Sequence, residues 1–341
     1  MPLPFQKLWG ARARKAPANL LGLDLGSTGV KAVRFHRTTG GLSVAAVDML
    51  PPVDPASAPG TVRLALPKKL QANYVALAFS CARDVVRLVN LPGRLDYGPN
   101  LEAQVREFMK TEGEQRLNYR IMGTEQGKTE TRVLAVAVPE EDSRAVLGLV
   151  ASGAPAPYAL EVASLAGLTA YLRGPGLEHD RDAVCVLEAG ARMTLITFLN
   201  RGLPVLIRKL DWGGAPLVER VQTHLGLDRE TALGTLVEGS VDIASAVEDL
   251  LAPFLKQLTI SRDFVERQEN CQVGSLFVSG GTSLFRHWLN EIRAATGMEI
   301  QPLNPFKGLM LDPGAYPAAL EGQQARFAAA VGAALGALEE A

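Results

Sequence analysis

Within the eight residues from Asp24 to Lys31, the segment DLGSTGVK gathers a carboxylate, two hydroxyls, two glycines and an ammonium group. A carboxylate at a strand end can hold a hydrated Mg2+, which keeps most of its waters. Successive backbone N–H groups through Gly26, Ser27 and Thr28 form a nest for an anion, and Lys31 adds positive charge from the next strand. The chemistry such a set serves is phosphate binding. It is not a Walker A loop, because no GxxxxGK[ST] occurs and a strand, not a helix, follows the turn. A hairpin that simply needs glycine is the competing reading of the same residues.

A weaker copy lies 164 residues on. Leu187-Glu188-Ala189-Gly190 aligns with Leu23-Asp24-Leu25-Gly26, and Thr194 follows the turn. Glu188 is one methylene longer than aspartate, and Met193 stands where a phosphate would want a small donor. A third element, VSGGTSLF, places Gly280 and Gly281 between a strand and a helix, where bare backbone can pass close to a flat ligand such as adenine. Other reactive residue types carry no pattern. The four histidines are scattered without HExxH spacing, so metal ligation by them is not expected. Ser80-Cys81 has no GxSxG elbow. Cys81, Cys185 and Cys271 form neither a disulfide framework nor a metal spacing. Arg262 on the long helix could reach a cleft or merely extend along the helix flank.

The elements that must position these residues repeat in order. Leu20–Leu25, Val30–His36 and Leu42–Leu50 read as three antiparallel strands joined by a glycine turn and a TTGG hairpin. PPVDPASAPG is a loop, since its prolines cannot donate to a ladder. Strands at Tyr74–Phe79 and Asp84–Leu91, a helix at Leu101–Glu112, strands at Tyr119–Thr124 and Thr131–Val138 and a helix at Glu140–Val150 follow. ASGAPAPY reads as a break before a helix at Leu160–Leu172. Residues 184–210 then repeat the opening strand–turn–strand–hairpin–strand order, which marks an internal duplication into two similar lobes. Helices at Ala215–Leu225 and Arg229–Val237 precede a long one at Val241–Gln268, which Pro253 should kink or divide. A short strand at Ser275–Ser279, a helix at Leu284–Ala295 and a closing helix at Gln323–Leu338 complete the chain. Gly332 and Gly336 would let that last helix approach a neighbour closely.

At 341 residues and 47% hydrophobic, the chain can bury a large core. A formal net charge of −1 gives no basic field for gripping nucleic acid. The first 20 residues are basic, with Lys7, Arg12, Arg14 and Lys15 beside Phe5, Leu8 and Trp9. They hold no apolar run long enough for a signal peptide or a span, so a cytoplasmic location is expected. That segment is either a frayed tail or an amphipathic stretch resting on anionic lipid.

Taken together, the two loops and the GGTS element resemble the actin, DnaK-chaperone and sugar-kinase superfold. LLGLDLGSTGVKAV, DVVRLVNLPG, LDWGGAPLVERVQTHLGLD, LAPFLKQLTISRDF, LFVSGGTSLFRHWLNEIRAATGMEIQPLNPF and FAAAVGAAL occur in the order seen in PilM proteins. These are FtsA-like cytoplasmic components of type IV pilus and type II secretion inner-membrane platforms. The resemblance covers roughly residues 20–340 and implies an α/β, two-lobed actin-like ATPase fold, a duplicated ribonuclease H-like core with an inserted subdomain. The implied layout is a basic tail (1–19) and a first lobe (20–178) with its insertion at about 85–155. A second lobe (179–322) with a helical subdomain at about 213–272 follows, and a terminal helix (323–341) returns to the first lobe.

The same resemblance implies ATP with Mg2+ held by Asp24, Gly26, Ser27, Thr28, Lys31, Glu188, Gly190, Thr194, Gly280 and Gly281, with Asp24 toward the metal. It implies weak turnover at most and no dedicated catalytic residue. It also implies a docking groove for the N-terminal tail of a PilN-like membrane protein, for which Val86, Arg87, Val89, Leu91, Val105 and Phe108 are the candidates. Sequence leaves open whether the residues of that strand and helix are groove or ordinary core. Pilus assembly motor ATPases are further expected partners, at the inner membrane. Relatives carry an AExxK-like segment near the ribose and base, where TALGTL here places Leu233 and Leu236. Losing two polar contacts there would weaken nucleotide affinity about tenfold or more. The rival readings are a sugar or carboxylate kinase on the same superfold, which would need a general-base aspartate, and a filament-forming FtsA-like division protein. The short, acidic ALGALEEA does not supply the membrane helix of the latter.

Overall fold

The computed structural model describes residues 16–53, 64–124, 130–150 and 153–339. The basic stretch before Ala16 and most of the proline-rich loop lie outside these. The chain opens with β1 (Asn19–Gly26), β2 (Gly29–Thr38) and β3 (Gly41–Leu50), followed by β4 (Tyr74–Phe79). Next come β5 (Val85–Pro92), α1 (Pro99–Met109), β6 (Gln115–Thr124), β7 (Glu130–Pro139) and α2 (Glu140–Gly148). After them lie β8 (Ala156–Val162), α3 (Ala163–Arg173), β9 (Ala183–Ala189), β10 (Thr194–Asn200) and β11 (Leu203–Leu210). Three helices follow, α4 (Ala215–Leu225), α5 (Arg229–Glu238) and α6 (Ala244–Glu269). The last elements are β12 (Val273–Ser279), α7 (Arg286–Thr296), β13 (Glu299–Pro302), β14 (Met310–Leu311) and α8 (Ala328–Glu339).

Contacts divide the chain into two compact units. One holds the residues up to Ser80, Ala145–Glu178 and those from Leu303 on; the other holds Cys81–Arg144 and His179–Pro302. The sheet of the first unit runs β14-β3-β2-β1-β4-β8, and the main sheet of the second runs β11-β10-β9-β12-β13. In each, the first hairpin strands pair antiparallel and the inner strand then pairs parallel with a later one. The duplication read from few identities is thus a duplication of topology, with β1 and β9 starting 164 residues apart as the alignment requires.

The first unit closes around a helix that leucines could not build. All but two of the residues of α8 are buried, and it packs between α3 and the sheet. A Cβ on Gly332 would come 1.7 Å from the Ala166 carbonyl oxygen, and one on Gly22 of β1 would come 2.1 Å from the Ala330 oxygen. Only glycine permits either approach. In the second unit, Phe198, Leu187, Phe254, Trp288 and their neighbours form one core under α4, α5 and α6. Asp228 caps α5 by accepting from the Glu230 and Thr231 amides at 2.9 and 3.0 Å. The long helix α6 continues through Pro253 from Ala244 to Glu269, so the proline neither ends nor divides it.

The inserted strands form a separate three-stranded sheet, ordered β5-β7-β6. Expected within the first lobe, this segment groups by contact with the second unit. The physical reason is that β5 packs against β11 and that Lys209 of β11 is bonded to the turn before β5. The closing segment also returns to the first unit earlier than expected, from Leu303 and not from residue 323.

Candidate functional site

In the first loop, the hairpin register sets Asp24 opposite Lys31. Their charged atoms lie 3.3 Å apart, with the two side chains only 11% and 6% exposed. The ammonium folds over Gly26, where a Cβ would come within 2.4 Å of Nζ. Nζ is the end of a flexible side chain and could shift, so this contact alone does not demand glycine. Ser27 and Thr28 form the exposed tip of the turn. The five residues therefore do assemble, as a buried ion pair beneath two exposed hydroxyls.

A sixth residue, missed in the sequence, joins them. Arg326 precedes α8, and its half-buried guanidinium is pushed down in pKa by desolvation, an effect opposed by the nearby Asp24 carboxylate. Its Nη1 donates to Gln323 Oε1 at 2.6 Å, while its Nε has no hydrogen-bond partner. Lys31 thus pairs with Asp24 directly, while Arg326 acts on the same carboxylate through its charge. The loop fits an anion such as a phosphate; a divalent cation at Asp24 would have to compete with Lys31. Among the described residues no cluster of three or more His, Cys, Asp or Glu side chains could hold a metal. Arg326 lies about 300 positions from Asp24 in the chain, and no local pattern connects them.

The second loop has its polar groups occupied internally. Thr194, expected as a phosphate donor, is fully buried and its hydroxyl donates to the Trp212 carbonyl at 2.8 Å. The Gly190 amide donates across the turn to the Met193 carbonyl at 2.9 Å. At the start of α4, the Gly214 and Ala215 amides donate to the Gly190 and Ala191 carbonyls at 3.0 and 2.8 Å. Gly280 lies directly on this loop: a Cβ there would come 2.3 Å from the Ala189 oxygen and 2.9 Å from Glu188 Oε1. Thr282 of the GGTS element donates to the Gly190 carbonyl at 2.8 Å. Gly190, Glu188 and Gly280 are therefore brought together, and backbone packing accounts for Gly280. Gly281 faces open space: a Cβ added there would meet nothing within 4 Å. Leu233 and Leu236 of α5 pack into the core. Arg262 is spent on Asp263 at 2.8 Å and on the Thr296 carbonyl at the end of α7, a structural tie.

The groove candidates separate into two groups. Val89, Leu91 and Val105 belong to the core between α1 and the inserted sheet, together with Leu101, Met109 and Val133. Val86 is also buried. Arg87 and Phe108 are exposed, Phe108 by 44%. Of the six, only these two present a side chain to solvent. At the base of this subdomain sits the best-defined polar cluster of the second unit. Lys209 Nζ donates to the carbonyls of Cys81, Ala82 and Asp84 at 3.0, 3.3 and 2.8 Å and to Asp84 Oδ1 at 2.5 Å. The second oxygen of Asp84 accepts from the Cys81 amide at 3.0 Å. Burial, with Asp84 adding, pushes the Cys81 thiol up to about 12.

The family model for type IV pilus assembly protein PilM matches residues 22–338. The chain belongs to the PilM family. Among solved structures, a PilM–PilN type IV pilus biogenesis complex is similar at 22% identity and a TM-score of 0.75, with 96% of this chain and 99% of that one covered. This likeness establishes the actin-like ATPase fold for the PilM-family chain. More distant are the ethanolamine utilization protein EutJ from Carboxydothermus hydrogenoformans (13% identity, TM-score 0.44, 95% and 91% covered) and MreB 5 of Spiroplasma citri bound to AMPPNP (12%, 0.44, 92% and 94%). Family membership does not favour the kinase or the division-filament reading. Among the described residues no helix is long and apolar enough to cross a membrane.

Proposed function

We propose that this chain is an adaptor in a type IV pilus inner-membrane assembly platform, where it holds the cytoplasmic N-terminal tail of a PilN-like membrane protein. The observation that carries this reading is the family match over 22–338, joined to the fold shared with the PilM–PilN complex. Its place at the membrane is then peripheral and comes through that partner, with assembly motor ATPases as further contacts. Arg87 and Phe108, exposed on the inserted subdomain, are the two of the six groove candidates that can meet a peptide. A tail adding an extended or helical segment would gain apolar anchoring and backbone hydrogen bonds that fix its register.

Nucleotide is a regulatory ligand in this proposal, bound weakly and chiefly by the first loop. Ser27, Thr28 and Lys31, with Arg326 behind them, suit the phosphates. ATP would bring the anionic groups that the two cations can neutralise, and Asp24 would orient a hydrated Mg2+. The internal bonding of Thr194 and the leucines at 233 and 236 support low affinity and slow turnover.

The adaptor reading is tested by isothermal titration of a synthetic peptide from the N-terminal tail of a PilN-like protein encoded beside this one. Saturable binding that Arg87→Glu or Phe108→Ala weakens is expected, and no heat with any such tail would remove the proposal. The nucleotide reading is tested separately by thermal shift with Mg-ATP. The wild-type midpoint should rise and that of Lys31→Met should rise less; an unmoved wild-type midpoint at millimolar ATP would sink it.

A further inference from the structure

A cavity of about 390 Å³ opens on the second unit beside the start of α4, bordered on one side by Arg192 of the second loop. Its apolar wall is made by Trp212, Leu217 and Leu250, and Arg192, Asp211 and Glu219 stand around it. The volume lies within the range of ligand pockets. What it would take follows from the state of each wall residue.

Trp212 is held rigidly. Its indole Nε1 donates to the Leu250 carbonyl at 3.0 Å, and its ring stacks on Phe254 at 4.3 Å and on Trp288 at 5.4 Å. The Phe254 and Trp288 centroids are only 5.7 Å apart. That is far less than the sum of their distances to Trp212, so both rings lie on one side of the indole. Trp212 is only partly buried and lines the cavity, from which we take its opposite face as the one turned to it. A fixed indole with one open face is the best aromatic surface for a cation.

The charges around it are unspent. Among the described residues, neither the Asp211 nor the Glu219 carboxylate makes an ion pair or side-chain hydrogen bond, and both residues are exposed. The Arg192 guanidinium is equally free, and the three sum to one negative charge. Two carboxylates and an open indole complement a planar cation with an apolar neighbour. Arg192 opposes such a guest by like charge, so it should lower affinity, and that gives the idea a sign to test.

We propose that this cavity is a docking site for an arginine of a partner peptide, its guanidinium laid on the free face of Trp212 between Asp211 and Glu219. The apolar residue next to the arginine rests on Pro216 and Leu250. This site is independent of the PilN-tail reading and stands whether or not that reading holds.

The test is a titration of the full chain with acetyl-Ala-Arg-Leu-Ala-amide and with the same peptide carrying citrulline, the neutral isostere. Binding is followed by the Trp212 indole N–H resonance at low salt. The arginine peptide should bind at least about tenfold tighter than the citrulline peptide. Asp211→Asn and Glu219→Gln should each weaken it about threefold to tenfold, whereas Arg192→Gln should tighten it by a similar factor. All three side chains are exposed, so the variants should fold normally. Equal affinity for the two peptides, no saturable shift at the highest soluble concentration, or an Arg192→Gln variant that binds no tighter would overturn the proposal.

Discussion

Replacing Lys209 by methionine isolates the tie between β11 and the entry to the inserted subdomain. Methionine keeps most of the aliphatic length but removes the ammonium. The Asp84 side chain is 2% exposed and that of Lys209 18%, so the pair is largely desolvated. Without Lys209, the Asp84 carboxylate loses its counter-ion, and the Cys81, Ala82 and Asp84 carbonyls lose a shared donor. Breaking a buried pair by removing one partner costs about 3–5 kcal/mol, because the remaining charge stays uncompensated. Here the Cys81 amide still bonds Asp84 Oδ2, and water reaches the partly open side of Lys209. Both push the cost to the lower end, about 3 kcal/mol.

The assay should read the locality as well as the amount. Amide hydrogen exchange along β5 and β11 should accelerate about a hundredfold, since each 1.4 kcal/mol is a factor of ten when local opening governs exchange. Exchange in β1, β2 and α8, which belong to the other unit, should stay as in wild type. Asp84→Asn should cost only about 1–2 kcal/mol, because it removes the charge along with its partner's role. The double variant should cost less than the sum of the two single changes. A Lys209→Met protein with wild-type exchange at β5, or a double variant whose costs simply add, would refute the reasoning.

Further outcomes follow from other parts of the fold. Gly332→Ala drives a Cβ into the Ala166 carbonyl, so α3 and α8 must separate; a loss of about 3 kcal/mol or more in thermal unfolding is expected. Gly234→Ala is its control, since that α5 position is open and the change should stabilise by about 0.5–1 kcal/mol in the same measurement. Glu140 is held at about 2 by hydrogen bonding from Arg116, with Arg144 adding, against an ordinary 4.5. Its folded value is the lower one, so its stabilisation is present above about pH 4.5 and is lost as pH falls toward 2. In Arg116→Met the acid-linked loss should be smaller and complete at a higher pH, as read by urea midpoints across that window. Cys81 should react with iodoacetamide near pH 8 far more slowly than a free thiol, because its raised pKa leaves almost no thiolate; mass spectrometry of the folded protein decides it.

Most strands with period-two or buried patterns were legible to within a residue or two, but β6 begins at Gln115, four residues before the expected Tyr119. Tyr74–Phe79 and Ala215–Leu225 match in full, because Pro216 and the glycines at 213, 214 and 226 punctuate α4. Strand β8 was missed. Ala154-Pro155-Ala156-Pro157 reads as a loop, yet β8 lies at the edge of its sheet, where proline costs no ladder bond. Helix α1 starts two residues earlier than its apolar face suggested because Pro99 suits the first helical turn. It ends at Met109 because Lys110 takes a left-handed φ of 46°. Short β13 and β14 carry too few residues for a period to be seen. Their places are set by the strands they pair with, far away in sequence.

The candidate site divides along the same line between local and distant causes. Asp24 and Lys31 are paired by a hairpin register that can be counted from the turn, so their meeting was legible. Whether a polar side chain is free or already bonded is a tertiary fact. Thr194 has the right type at the right offset, but its hydroxyl is taken by a carbonyl 18 residues on, beyond the reach of any local pattern. The amides at the start of α4 are likewise taken by the loop's own carbonyls, and the leucines of α5 fill core volume that longer polar chains would disrupt. The second loop is therefore more than a first loop with poorer residues. Its hydroxyl at Thr194 and the amides of Gly190, Gly214 and Ala215 are taken by internal carbonyls. Those internal bonds leave fewer groups for a ligand than the first loop offers.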